Sequence, residues 1–232
     1  MPDLSPVWLS LLVAGTATLI SVPLGLAAAW LVSSVGRQGR RARRGFIPLE
    51  IALTLPLVLP PTVVGYGLLH IFGRGTPVGV FLNDRFGVHL LFTWQAAAIA
   101  ASIMALPLVF RTSEAAFRSV DSEWLEVGRT LGASEPRLFV SVLLPLAFRG
   151  VLTGVALGFA RALGEYGATM MVAGSIPGRT ETLPLALGDA VLNGATADAR
   201  FYALLLTGVA LVLLAAISVW GGRIALSRGE HG

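Results

Sequence analysis

The chain has 232 residues, 55% of them hydrophobic and only 13% charged, against about 25% charged in a soluble domain, so a water-soluble core is excluded and a membrane protein is indicated. All 17 basic residues are Arg, and with 13 acidic residues they give a formal net charge of +4. Without Lys the chain holds neither a G-x-x-x-x-G-K-[ST] phosphate loop nor a Schiff-base lysine; without Cys it has no disulfide, thiolate nucleophile or Cys-based metal site.

A membrane helix needs roughly 20 mostly apolar residues. Five runs meet that length, at about 7–34, 49–73, 88–110, 149–174 and 201–223, within one transmembrane domain over 1–232. The expected fold class is an all-α membrane protein of five transmembrane helices. The first run has no basic start and is longer than the apolar core of a secretory signal, so it reads as a retained span. Pro23, Pro60 and Pro107 are expected to kink their spans, which a bundle tolerates when neighbours satisfy the freed backbone groups.

Short cytoplasmic loops carry an excess of Arg. Arg37, Arg40, Arg41, Arg43 and Arg44, then Arg111, Arg118, Arg129, Arg137 and Arg149, then Arg223 and Arg228 fall on one side of a five-span chain; Arg74, Arg85, Arg179 and Arg200 fall on the other. The N-terminus is therefore expected outside and the C-terminus in the cytoplasm. The Arg37–Arg44 cluster serves that orientation, with binding of anionic lipid as the alternative. This distribution removes nucleic acid as the explanation of the basic charge.

Helix connections in bundles usually take about 2 to 8 residues, yet residues 111–148 separate the third and fourth runs. Asp121 or Ser122 is placed to cap a helix beginning at Glu123, with Trp124, Val127 and Leu131 at helical spacing. Gly132 supplies the stop. Ser134 is placed to cap a second helix whose first turn accepts Pro136, with Leu138, Phe139 and Val142 on its apolar side. The loop reads as a helix-turn-helix against the inner membrane face.

Glu126-Val127-Gly128, Gly132 after three residues, and Val142-Leu143-Leu144-Pro145 after nine more resemble the E-A-A-x3-G-x9-I-x-L-P motif of ABC-transporter permeases. Val127 and Gly128 replace the alanines and Val142 the isoleucine. The resemblance implies an ABC importer permease (MetI-like) fold whose loop holds the coupling helix that docks on an ATPase subunit. It makes Glu126, Gly132, Ala133, Ser134, Arg137 and Pro145 the coupling residues. It also gives the missing Lys a meaning: ATP and magnesium would be bound by the partner ATPase, and this chain would bind no cofactor.

In the fourth run Arg161 and Glu165 are four residues apart, which places them on one helix face. Ionisable groups at membrane depth normally face the bundle interior or a watery path. Arg161, Glu165 and Thr169 are thus candidates for the translocation path or its gate; the alternative is an ion pair that fixes packing, with Gly158, Gly164 and Gly167 permitting close helix approach. Residues 159–169 together with Ile176-Pro177-Gly178-Arg179-Thr180 and Leu183-Pro184 resemble the molybdate-transporter permease family. Sulfate permeases share the A-R-A-x-G-E-[FY]-G core, which leaves sulfate as the alternative substrate to molybdate or tungstate.

In the last loop Pro177-Gly178 marks a turn, and Thr182 is placed to cap a short helix ended by Asn193-Gly194. By resemblance, a periplasmic or lipid-anchored molybdate-binding protein meets this surface at Arg179, Thr180 and Glu181, with the loop around Arg74 to Arg85 contributing. The alternative is that the short helix only plugs the bundle's mouth. His70, His89 and His231 show no H-E-x-x-H spacing, so no metal site is expected, and no Ser/His or Asp pair suggests a catalytic residue. The resemblance implies a homodimer in the bacterial cytoplasmic membrane, with membrane lipid around it, two ATPase subunits and one binding protein. An intramembrane enzyme and a passive channel are the competing readings; the channel leaves the long loop without a purpose.

Overall fold

The computed structural model describes residues 3–37 and 44–226. Arg40, Arg41 and Arg43 of the basic cluster, and Arg228 and His231, lie outside the described residues. The described segments are helical: α1 Ser5–Arg37, α2 Ile47–Thr54 with a tight turn of helix at Leu55–Leu57, α3 Pro61–Phe72, α4 Pro77–Phe86 and α5 Trp94–Arg118. Then follow α6 Ser122–Thr130, α7 Glu135–Leu163, α8 Gly167–Ala173, α9 Leu183–Leu192 and α10 Thr196–Leu226.

Four of these, α1, α5, α7 and α10, are long and apolar enough to cross a membrane, and the α2–α3 pair makes a fifth crossing if it is taken as one broken span. That pair is bent by 112°. Of the three prolines expected to kink a helix, Pro60 sits at the break, whereas α1 runs on through Pro23 and α5 through Pro107. The physical reason is the Pro60-Pro61 pair. A residue before proline is pushed out of helical geometry, and Pro60 has ψ 135°, while Pro61 with its fixed φ starts the next helix.

The centre of the bundle is α5, packed along α1 and α7. Small residues make this possible: Ala96, Ala97, Ala100, Ala101 and Ala105 are buried on α5, and Gly25 of α1 lies so near that an added Cβ would stand 2.8 Å from Val109 Cγ1. Close approach through small residues is how membrane helices gain contact area, since lipid removes most of the hydrophobic drive. Two cores result. One joins α1, α5 and α8 around Val13, Ala101, Met104 and Val172; the other, at the opposite end, joins α1, α5, α6 and α7 around Phe110, Phe117, Leu125, Leu138 and Leu143. Helix α10 lies outermost and exposes Leu204, Leu211, Val212 and Leu214.

One sequence expectation changes here, and another gains detail. The helix-turn-helix expected within 111–148 is flanked by extensions of the long helices, because α5 continues to Arg118 and α7 already begins at Glu135. The fourth run is not one helix through residue 174 but stops at Leu163 and resumes as α8. Gly164 and Gly167 favour the interruption, since glycine is a weak helix former, and the chain satisfies the new helix end with a side chain, as described below.

Candidate functional site

The loop between α5 and α7 is a built unit. Asp121 Oδ1 accepts the Glu123 N–H at 3.1 Å and starts α6. At its end Gly132 takes φ 81°, Ala133 N–H bonds Gly128 O at 3.0 Å and Gly132 N–H bonds Arg129 O at 2.9 Å, the paired closure of a left-handed helix cap. Gly128 brings α6 against α7: an added Cβ would lie 2.3 Å from Leu138 Cδ2. Arg129 grips Glu135 through two bonds of 2.6 and 3.2 Å, which raises the Arg129 pKa. Ser134 stands at the helix start but makes no side-chain cap bond, contrary to expectation; Glu135 and Pro136 begin the helix without it.

The apolar residues of α6 divide into two faces. Leu125 is buried with Leu138 in the core that also holds Phe110 and Phe117. Trp124, Val127 and Leu131 are 63%, 50% and 82% exposed, so the stripe read from helical spacing points outward. Glu126 and Arg137 are exposed beside it, Ala133 is half-buried, and Pro145 lies exposed on α7 just past a π-helical stretch, Phe139–Leu143.

At the α7–α8 break the predicted ion pair is present: Arg161 Nη1 lies 2.6 Å from Glu165 Oε2. The two residues do not share a helix face, because Glu165 is beyond the end of α7. Its side chain is 1% exposed, and its other oxygen accepts the Ala168 N–H at 2.8 Å, so one carboxylate ties the end of α7 to the start of α8. Thr169 is buried, and its hydroxyl has no hydrogen-bond partner among the described residues. Helices α8 and α3 are in close contact. A Cβ on Gly167 would lie 3.1 Å from Pro61 Cβ, and one on Gly65 would lie 2.7 Å from Met171 Cβ and 2.9 Å from Ala168 Cα. Both half-helices therefore begin side by side, each just after a break. A cavity of about 560 Å³ opens beside this break, between Leu163, Tyr166, Leu187, Leu206 and Leu213.

Of the residues expected to meet a binding protein, Arg179 is exposed and Glu181 half-buried. Thr180 is a correction: it is 1% exposed, and its hydroxyl accepts from Ile176 N–H at 3.0 Å and donates to Gly174 O at 2.9 Å, which closes the turn from within. Burial raises the Glu181 carboxyl pKa, with Asp189 and Asp3 adding to the effect. Thr182 occupies the start of α9 without a side-chain cap bond; the Leu183 N–H is instead bonded by Ser10 Oγ of α1 at 2.6 Å. The loop near Arg74 contains α4, a helix that sequence reading did not place, although Thr76 before Pro77 is its start signal: Thr76 Oγ1 accepts the Gly79 N–H at 3.0 Å.

A second charged group was also missed. Glu114 of α5 is buried, 2.5 Å from Arg118 and 3.1 Å from Arg111, and Arg111 reaches Glu50 of α2 at 3.4 Å. The i, i+3 and i, i+4 spacing of Arg111, Glu114 and Arg118 carried the signal; the link to Glu50, 61 residues away, had none.

Comparison with known proteins agrees with this geometry. Residues 10–227 match the family described as binding-protein-dependent transport system inner membrane component. The chain is 39% identical over 230 residues to the molybdenum transport system permease protein ModB of Escherichia coli (strain K12), covering 98% of this chain and 96% of that protein. It is 41% identical over 191 residues to the putative molybdenum transport system permease protein YvgM of Bacillus subtilis (strain 168), covering 82% and 81%. Among solved structures it resembles an inward-facing MetNI methionine ABC transporter chain, with TM-score 0.67 and 18% identity over 96% of this chain and 94% of that one. A bacterial ABC transporter importing the acidic polysaccharide alginate gives TM-score 0.73 and 16% identity over 95% and 79%. At these identities the two structures speak to the fold alone.

Proposed function

From the premise that this chain belongs to the family of binding-protein-dependent transport system inner membrane components, we propose that it carries molybdate into the cell. It is a multi-pass inner-membrane transport subunit and not an enzyme. Family members work with an ATPase and a binding protein; for this chain the reading is two copies of the permease, two ATPase subunits that hold ATP and magnesium, and one molybdate-binding protein outside. Molybdate is favoured over sulfate by the transport named for its relatives in E. coli and B. subtilis and by the Gly167–Thr169 and Ile176–Pro184 segments.

The observation that carries the mechanical reading is the division of α6 into two faces. Trp124, Val127 and Leu131 offer an apolar surface to a partner, while Leu125 is locked into the same core as Phe110 and Phe117. A push on the exposed face is thereby passed to α5 and α7 as rigid bodies, because packed cores shift between discrete arrangements and do not deform continuously. Placing this loop in the cytoplasm follows from the Arg distribution, with the N-terminus outside and the C-terminus inside. Glu126, Gly132, Ala133, Ser134, Arg137 and Pro145 then belong to the ATPase-facing unit.

Arg161, Glu165 and Thr169 belong to the gate. Their break adjoins the α2–α3 break, so α3 and α8 form one outer block against which the inner segments can hinge. Arg179 and Glu181 lie on the face that receives the binding protein. Uptake of labelled molybdate into vesicles containing the assembled transporter, competed with tungstate and sulfate, tests the substrate: tungstate is expected to compete and sulfate to compete weakly. Stronger competition by sulfate than by tungstate would overturn the molybdate reading.

A further inference from the structure

The coupling loop is joined to the bundle by apolar packing against α1, α5 and α7, but the bend at Pro60 lies on another path, through α2. Helix α2 exposes Ile47, Leu49 and Ile51 and turns its buried carboxylate, Glu50, toward Arg111 of α5 at 3.4 Å. Arg111 also holds Glu114 at 3.1 Å, and Arg118 holds the other Glu114 oxygen at 2.5 Å. Arg118 is the last residue of α5, three residues before the Asp121 that starts the coupling helix. The Glu114 side chain is only 6% exposed, and a carboxylate so placed holds its cations strongly because losing one leaves a buried charge uncompensated. The result is a polar bar from the root of the coupling loop to the first arm of the broken helix.

We infer that Arg111 is a positioning residue that ties α2 to α5, so that displacement of the coupling loop moves the arm leading into the rigid Pro60 bend and, through it, α3 and α8. This rests on the coupling-loop reading above. The charges are more than topology signals, since topology requires no partner for Arg111, whereas here it bridges two acidic residues from different helices.

The test uses the assembled transporter in vesicles and reads molybdate carried per ATP hydrolysed. Arg111→Met and Glu50→Gln are expected to leave basal ATP hydrolysis unchanged and lower the ratio about tenfold, the size of a typical coupling between sites; Arg111→Lys, which keeps the cation, restores most of it. An unchanged ratio in Arg111→Met and Glu50→Gln would overturn the inference, as would parallel loss of uptake and hydrolysis, which marks a merely structural role. If Arg111→Met does not assemble, Glu50→Gln decides, because it weakens the tie at its α2 end and leaves the Arg111–Glu114–Arg118 group intact. Uncoupling by Gly132→Val alongside a normal ratio in Glu50→Gln would reject this tie and spare the coupling loop.

Discussion

The two helix breaks that meet at the α3–α8 contact are made in different ways. Between α2 and α3 the backbone itself enforces the break: Pro60 lies outside helical geometry and Pro61 restarts the helix. Between α7 and α8 no proline intervenes, and the break is held by a side chain, Glu165, which bonds the Ala168 N–H and pairs with Arg161. The first is fixed covalently and should resist change. The second depends on one charge pair at membrane depth and should be the one that switches.

That contrast can be broken most severely at Arg161. Arg161→Ala leaves the Glu165 carboxylate buried without its cation, a loss of about 3 to 5 kcal/mol, read as a fall in the unfolding temperature of the purified transporter and a loss of uptake. Glu165→Gln keeps an acceptor for the Ala168 N–H and should cost less, about 1 to 2 kcal/mol. A comparable effect follows from wedging the shared contact. Gly65→Leu forces a side chain against Met171 and Ala168, an overpacking of about 1 to 3 kcal/mol, and should block uptake while ATP hydrolysis continues. The smallest belongs to the proline break: Pro60→Ala, with Pro61 still in place, should shift stability by under about 1 kcal/mol. A larger effect from Pro60→Ala than from Arg161→Ala on uptake would reverse the assignment of which break switches.

Much of this arrangement was legible in the residues. Asp121, Gly132 and Gly194 carry local signals, and each does locally what its type requires: a carboxylate accepts helix N–H groups, and glycine takes positive φ at a helix end. The Arg161–Glu165 spacing was legible as a pair, but not as a link across a helix end. What separates these outcomes is range. Ser134 and Thr182 looked like caps, yet the Leu183 N–H that opens α9 is bonded by Ser10, 173 residues away in sequence, and Thr180 looked available for a partner until the turn closed over its hydroxyl. The apolar spacing of α6 gave the helix but not which face is buried, because Leu125 points inward only when Leu138 and Phe117 come together in the fold. The Glu50–Arg111 bridge was hidden for the same reason.

The central claim is that the α6 unit passes ATPase motion to the bundle, and Gly132 tests it most directly. Its φ of 81° is one that a β-branched residue adopts only under strain, so Gly132→Val should tilt α6 while leaving the membrane helices in place. In vesicles holding the complete transporter, ATP hydrolysis should lose its stimulation by the loaded binding protein, and molybdate uptake should be lost with it. Stimulation and uptake both at the level of the unmodified protein would contradict the account.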